Sequence, residues 1–341
     1  MKLFKSLLSS VATVGLLASS VVVAGIATST AAKAKDLTVA YFLEWPTPNQ
    51  FAQTNKLYEK ALGVKIKWVS FDAGTAMSAA MASGDVDISF SQGVTPFLVA
   101  TAAGQDLQVV DIAVSYSDND NCVVRAELEA NKENAAEVLK GKKVAVPLGT
   151  AAHSGFLKQM KYLNIAESDL TIVDMSPSDS AAAFAQPNTD LAMVCGWGGS
   201  LRKMKEHGSP IIEGAEKEKV VGKVFDVTSI PTSFGEEHPE LLAKFLKVTA
   251  DMNAKYLSEA DSMIGAIQKS AGMDLEGTKA VIKTFVFPNI QDQLSANWMG
   301  GAVAEYLTNS AASLEADGKI KALPDYNAVV NSSYLEAASK M

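Results

Sequence analysis

Apolar positions at strand spacing open the interpretable part of the chain, from Asp36 to Phe42, and give way to the irregular segment Glu44 to Pro48. A helix is predicted from about Asn49 to Leu62 and closed by Gly63, whose place just past the last turn suits a left-handed cap. Residues 64–68 alternate apolar and polar side chains, as a strand does. Asp72 to Gly74 turns into a helix over 75–83, Gly84 closes it, and residues 85–90 make a short strand. The order β-α-β-α-β predicts a mainly parallel sheet with helices on its faces.

The second half repeats this grammar. Residues 139–146 read as a helix end feeding a strand, 151–163 as a helix, 170–175 as a strand, 178–184 as a helix and 190–194 as a strand. Gly84 to Ile88 and Asn188 to Ala192 each follow an alanine-rich helix and run into a glycine-containing loop, which points to two lobes of related topology. A further strand is predicted at 228–234, and from His238 the chain is mostly helical and long enough to return over the first lobe. With no low-complexity linker between the halves, the chain is expected to cross twice, near 115–125 and 224–232. Lobe 1 is then discontinuous, 35–120 and 228–341, and lobe 2 is 121–227.

Composition narrows the class. The 341 residues are 48% hydrophobic, enough for two cores and too apolar for intrinsic disorder. With 38 acidic against 30 basic residues and a net charge of −8, a general nucleic-acid binder is excluded. Lys2 and Lys5, the apolar run Leu7 to Ile26 and the A-x-A site Ala32-Lys33-Ala34 read as a signal peptide over 1–34. An uncleaved anchor is the rival reading, disfavoured by the small residues and the cleavage site. Cleavage would remove three lysines and no acids, taking the charge from −8 to −11. No cysteine lies near the site, so a lipid-modified N-terminus is not expected. The only cysteines, Cys122 and Cys195, exclude a disulfide framework, and three histidines leave no metal-ligand spacing. In an oxidising compartment the two thiols either pair or stay apart as small apolar residues, and spacing leaves both open.

In parallel sheets ligands bind at the carboxyl ends of strands, where helix N-termini offer free amides. Two junctions qualify. One is Ser91 to Pro96, with Gly93, Val94 and Thr95, Thr95 before Pro96 reading as a cap. The other is Gly149 to His153, with Ala151 and Ala152 after a Thr150 cap. Either is equally well an ordinary capped helix. Glu44 and Asp226 are carboxylates near strand ends, and the apolar flanks of Asp226 favour burial. Trp45 and Trp197 serve as pocket walls or as packing. His153 is the one candidate base, yet no nucleophile, metal or phosphate-loop motif accompanies it, so binding without turnover fits better.

The export signal, Leu139 to Pro147, Ser83 to Ile88 and His238 to Leu242 together resemble ABC-transporter substrate-binding proteins of the taurine, alkanesulfonate and nitrate group. The similarity spans the chain from about residue 36 and lies nearest the taurine branch. Residues 70–75, 150–153, 194–197 and 225–227 fall where that branch lines its ligand. Glu44 to Pro48, Gly93 to Pro96 and Cys195-Gly196 depart from the group's usual wording, which touches substrate identity. The resemblance implies an α/β, two-lobed periplasmic binding protein of the type II kind, monomeric and without a cofactor or metal. It would be no enzyme, and would pass taurine or a similar aminoalkane sulfonate to an inner-membrane ABC permease. The sulfonate would rest on Gly93, Val94, Thr95, Thr150, Ala151, Ala152 and His153. The ammonium would meet Asp226 and Glu44, with Trp45 and Trp197 as walls. The alternatives are a quaternary-ammonium ligand caged by Trp45, Trp197 and Trp298, and an enzyme like the pyrimidine-precursor synthases, which share the fold outline.

Overall fold

The computed structural model describes residues 36–222 and 224–341, and the expected signal peptide, 1–34, lies outside them. The chain begins β1 (Leu37–Phe42), α1 (Asn49–Thr54), α2 (Leu57–Leu62), β2 (Ile66–Phe71), α3 (Gly74–Ala82), β3 (Ile88–Gly93), α4 (Val94–Ala102) and β4 (Leu107–Tyr116). It then builds β5 (Asp120–Arg125), α5 (Ala135–Leu139), β6 (Lys143–Val146), α6 (Ala151–Tyr162), β7 (Thr171–Asp174), α7 (Pro177–Phe184), β8 (Leu191–Trp197), α8 (Gly198–Met204), β9 (Gly208–Ser209) and α9 (Gly214–Val221). It returns through β10 (Val224–Pro231) and finishes in α10 (Thr232–Glu237), α11 (Pro239–Ala271), α12 (Leu275–Ile282), α13 (Ile290–Leu294), α14 (Ala302–Ala316) and α15 (Ser333–Ala338).

The strands form two five-stranded sheets, ordered β2-β1-β3-β10-β4 and β7-β6-β8-β5-β9. In each, three parallel neighbours are followed by one antiparallel strand, β10 between β3 and β4 and β5 between β8 and β9. That strand is the first made after the chain enters the sheet. The short β-α-β connections dictate the parallel part, and the two crossings supply the antiparallel one.

Three local readings are corrected. The helix over 49–62 is two helices, because the Asn55 side-chain amide donates to the Phe51 carbonyl and Lys56 takes a left-handed φ of 54°. Gly63 adopts its expected left-handed cap, φ 71°. Ser91 to Gly93 is the end of β3 and not a loop, held in the sheet by the pairing of Gly93 with Asp226 on β10. Gly93 is therefore the N-cap of α4, and Thr95 lies inside the helix without a capping bond. Residues 107–116 and 120–125, unassigned in the sequence, are strands, and the strand expected at 228–234 starts at Val224.

Packing follows the two-residue period of the strands. On β5, Cys122 and Val124 face a core with Phe156 and Met160 of α6, while Val123 faces Phe184, Leu201 and Met204 of α7 and α8. Burying a phenylalanine such as Phe156 or Phe184 contributes about 1.5–3 kcal/mol. The first sheet has one larger core, which α11 completes from its contacts with α1 and α2. Cys122 and Cys195 are opposite each other in the β5–β8 register and form a disulfide, Cα–Cα 4.0 Å. Among the described residues no helix is long and apolar enough to cross a membrane.

Candidate functional site

Both sheets point strand ends at one cavity. It is lined by Phe42, Trp45, Gly74, Gly93, Pro96, Tyr116, Asp120, Thr150, Ala151, Trp197 and Asp226. Phe42 ends β1, Tyr116 ends β4 and Asp226 lies near the start of β10, whereas Asp120 begins β5 and Trp197 ends β8. The register sets Asp226 beside Gly93 in one sheet and Asp120 beside Trp197 in the other.

Two carboxylates and four aromatic rings share the lining. Asp226 is 3% exposed. Its Oδ2 accepts from the Ser91 hydroxyl at 2.8 Å and its Oδ1 from the Tyr116 hydroxyl at 3.0 Å. Ser91, in a left-handed backbone conformation, also accepts from the Trp45 indole N–H at 2.9 Å, so the four side chains are linked as a unit. Burial pushes the Asp226 carboxyl up to about 7; the two hydroxyl donors pull the other way, and Asp120 repels it further. Burial and the same carboxylate push the Tyr116 phenol well above its ordinary value, so it stays a donor. Asp120 accepts from Lys217 Nζ at 2.6 Å, a buried pair whose lysine also donates to the Ser117 carbonyl at 2.6 Å. One carboxylate is thus neutralised from behind, while the other faces the cavity with only hydroxyl partners among the described residues.

Three helices also begin at the cavity, and α4 starts beside Asp226, where a Cβ on Gly93 would lie 3.8 Å from Asp226 Oδ1. Gly74 is the first residue of α3, Gly93 caps α4, and Thr150 and Ala151 are the cap and first residue of α6. A helix leaves its first amides without internal partners and carries partial positive charge there. The Thr150 hydroxyl accepts from the His153 amide at 3.3 Å and donates to the Pro147 carbonyl at 2.6 Å. Glycine is required where α3 meets α4, since a Cβ on Gly74 would lie 2.7 Å from Pro96 Cγ. A delocalised anion on these amides and a cation on Asp226 would complement both kinds of group in the lining.

The residues picked from the sequence fall into two sets. Gly93, Thr150, Ala151, Asp226, Trp45 and Trp197 line the cavity. Val94 and Thr95 line a neighbouring hollow with Lys158 and Tyr306, and Ala152 is buried beneath the first turn of α6. His153 is buried; its Nδ1 accepts from the Gly149 amide at 3.1 Å, its Nε2 has no partner among the described residues, and burial with nearby Lys319 holds its pKa below the ordinary value. Glu44 gives its carboxylate to Ser200, at 2.9 Å, and to Lys203. Trp298 packs edge-on against Phe225 at 5.6 Å and is not among the cavity residues. Sequence reasoning missed Phe42, Tyr116, Asp120 and the buried Lys217. The signal for Tyr116 and Asp120 was the long apolar run from Leu107, which marks a buried strand ending at a crossing.

A family model described as NMT1/THI5 like matches residues 47–257. The taurine-binding periplasmic protein of Escherichia coli (strain K12) is 25% identical over 312 residues, covering 89% of this chain and 94% of that protein. The solved alkanesulfonate-binding protein SsuA from Xanthomonas axonopodis pv. citri, bound to MOPS, shares the fold with a TM-score of 0.68 at 19% identity, over 85% of this chain and 96% of that one. The desulfurization enzyme DSZB shares it with a TM-score of 0.63 at 13% identity, over 90% and 99%.

Proposed function

From the premise that this chain belongs to the NMT1/THI5-like family, we propose that it is a periplasmic solute-binding protein of an ABC importer. It captures taurine or a similar small aminoalkane sulfonate and delivers it to the membrane permease. The observation that carries the reading is that one cavity brings the Asp226 carboxyl together with the starts of α3, α4 and α6. A zwitterion is complementary to that arrangement, whereas a simple anion leaves Asp226 unpaired and a simple cation leaves the helix starts unused. The sulfonate oxygens take the amides around Gly74, Gly93 and Ala151 with the cap at Thr150; the ammonium takes Asp226, while Trp45, Tyr116, Phe42 and Trp197 exclude water. The taurine-binding relative from Escherichia coli supports the substrate class. Binding without turnover is supported by His153, which is not among the cavity residues and holds its Nδ1 on a backbone amide.

A second reading has its own support. Four aromatic rings in the cavity lining suit a methylated ammonium, whose charge is recognised by ring faces and not by hydrogen bonds. Thermal unfolding of residues 35–341, refolded from denaturant to strip carried ligand, separates the readings. A ligand present at about 100 times its Kd adds roughly 2.7 kcal/mol of stability. Taurine is expected to give that shift, with ethanesulfonate weaker and nitrate inert. A shift with glycine betaine and none with taurine would move the reading to methylated ligands. No shift with any of them would overturn the substrate class.

A further inference from the structure

We propose that Glu44 is a latch that holds the ligand's exit closed, a role that rests on the cavity being the ligand site. Phe42 of β1 and Trp197 of β8 meet edge to face with ring centroids 6.0 Å apart, so each sheet supplies one half of a door. The same two rings line both the cavity and an adjacent hollow that extends to the exposed Leu43, and among the described residues they are all that the two spaces share. Parting the pair joins the cavity to that hollow.

Glu44 follows the door by two residues and reaches across it. On its own side its amide donates to the Ala271 carbonyl at 2.7 Å, at the end of α11. On the far side its carbonyl accepts from the Gly199 amide at 3.1 Å, and its carboxylate accepts from Ser200 and Lys203. Every one of those far-side partners belongs to the first turns of α8, directly after Trp197. The left-handed backbone of Glu44, φ 55°, turns its carbonyl toward that helix. The approach is close enough to demand glycine twice: a Cβ on Gly198 would stand 2.5 Å from the Glu44 oxygen, and one on Gly199 2.9 Å from the Glu44 Cβ. Glu44 is not among the cavity residues, so its carboxylate works on the door and not on the ligand. Arg202 of α8, paired with Asp274 at 2.8 Å, adds a second strap beside the first.

A latch acts on escape and leaves entry alone. Stopped-flow tryptophan fluorescence with taurine and with ethanesulfonate, which lacks the ammonium, reads both rates. Glu44→Ala is expected to raise the dissociation rate of both ligands about tenfold, with association rates held within about twofold. Lys203→Met removes only a half-exposed ion pair and is expected to give a rise of about two- to fivefold. Gly199→Ala, whose methyl intrudes on Glu44, raises it as well. Loss of affinity for taurine with ethanesulfonate unaffected would make Glu44 an ammonium contact and overturn the latch, as would an unchanged dissociation rate. If the wild-type protein binds neither probe, the substrate reading fails, and amide hydrogen exchange at Gly199 then decides the latch. Faster exchange in Glu44→Ala upholds it, and equal exchange overturns it.

Discussion

Asp226 carries two opposed demands. The proposed ammonium contact needs a carboxylate, yet burial raises its pKa to about 7 and so favours the neutral acid. Since the folded pKa lies above the unfolded one, the folded state binds more protons between about pH 4 and 7. The ligand-free protein therefore loses stability as pH rises through that window, by up to about 4 kcal/mol from this group. An ammonium ligand reverses the balance by stabilising the charged form, so affinity for taurine is expected to fall about tenfold per pH unit below about 7. Asp226→Asn is neutral at every pH. It is expected to weaken taurine binding by about 2–5 kcal/mol in calorimetry while raising ligand-free stability at pH 7.5 relative to wild type. Urea unfolding of both proteins at pH 5 and 7.5 isolates the group as a difference. Unchanged affinity in the variant would remove Asp226 from the ligand site.

Elements place these residues by register. β5 and β8 are paired so that Cys122 faces Cys195 and, two positions on, Asp120 faces Trp197. The disulfide therefore pins the strand pair that delivers one carboxylate and one door residue to the cavity. It closes a loop with a sequence separation of 73, and reducing it is expected to lower stability by about 2–5 kcal/mol. Denaturant titrations with and without a reductant measure this; coincident curves would show that the strand pair holds without its bond. Helix starts are placed in the same way, since α4 follows β3 and α8 follows β8 with no intervening loop. That economy explains why Gly93 and Trp197 occupy N-cap positions and line the cavity at once.

At the scale of the molecule, the chain passes between sheets twice, after Tyr116 and after Val221, and Lys217 ties the two passages together. From α9, just before the second, it donates to the Ser117 carbonyl and to Asp120 at the first. Lys217 is 1% exposed, and removing it leaves a buried carboxylate without its cation. Lys217→Met is expected to cost about 3–5 kcal/mol, and adding Asp120→Asn to recover much of it, because the uncompensated charge is then gone. Thermal unfolding of the two variants checks this. No recovery in the double variant would mean that the lysine matters for packing alone.

The alternation of strands and helices, the caps at Gly63 and Thr150, and the candidate status of Asp226, Trp45 and Trp197 were legible in the sequence because each depends on neighbours a few positions away. Period and capping chemistry are local, and both lobes repeat them. What only the tertiary structure decided came from partners distant in the chain. The antiparallel strands β5 and β10 are inserted by crossings, so Tyr116, Asp120 and Lys217 met the cavity with no local pattern to announce them. The same insertion held Gly93 in the sheet and moved the α4 cap away from Thr95. Glu44 shows the difference most plainly: the sequence offered a carboxylate near a strand end, and only the approach of α8 turned it from the cavity toward Ser200 and Lys203. The charge of a side chain is written in the sequence, but its work depends on what folding brings within about 3 Å of it.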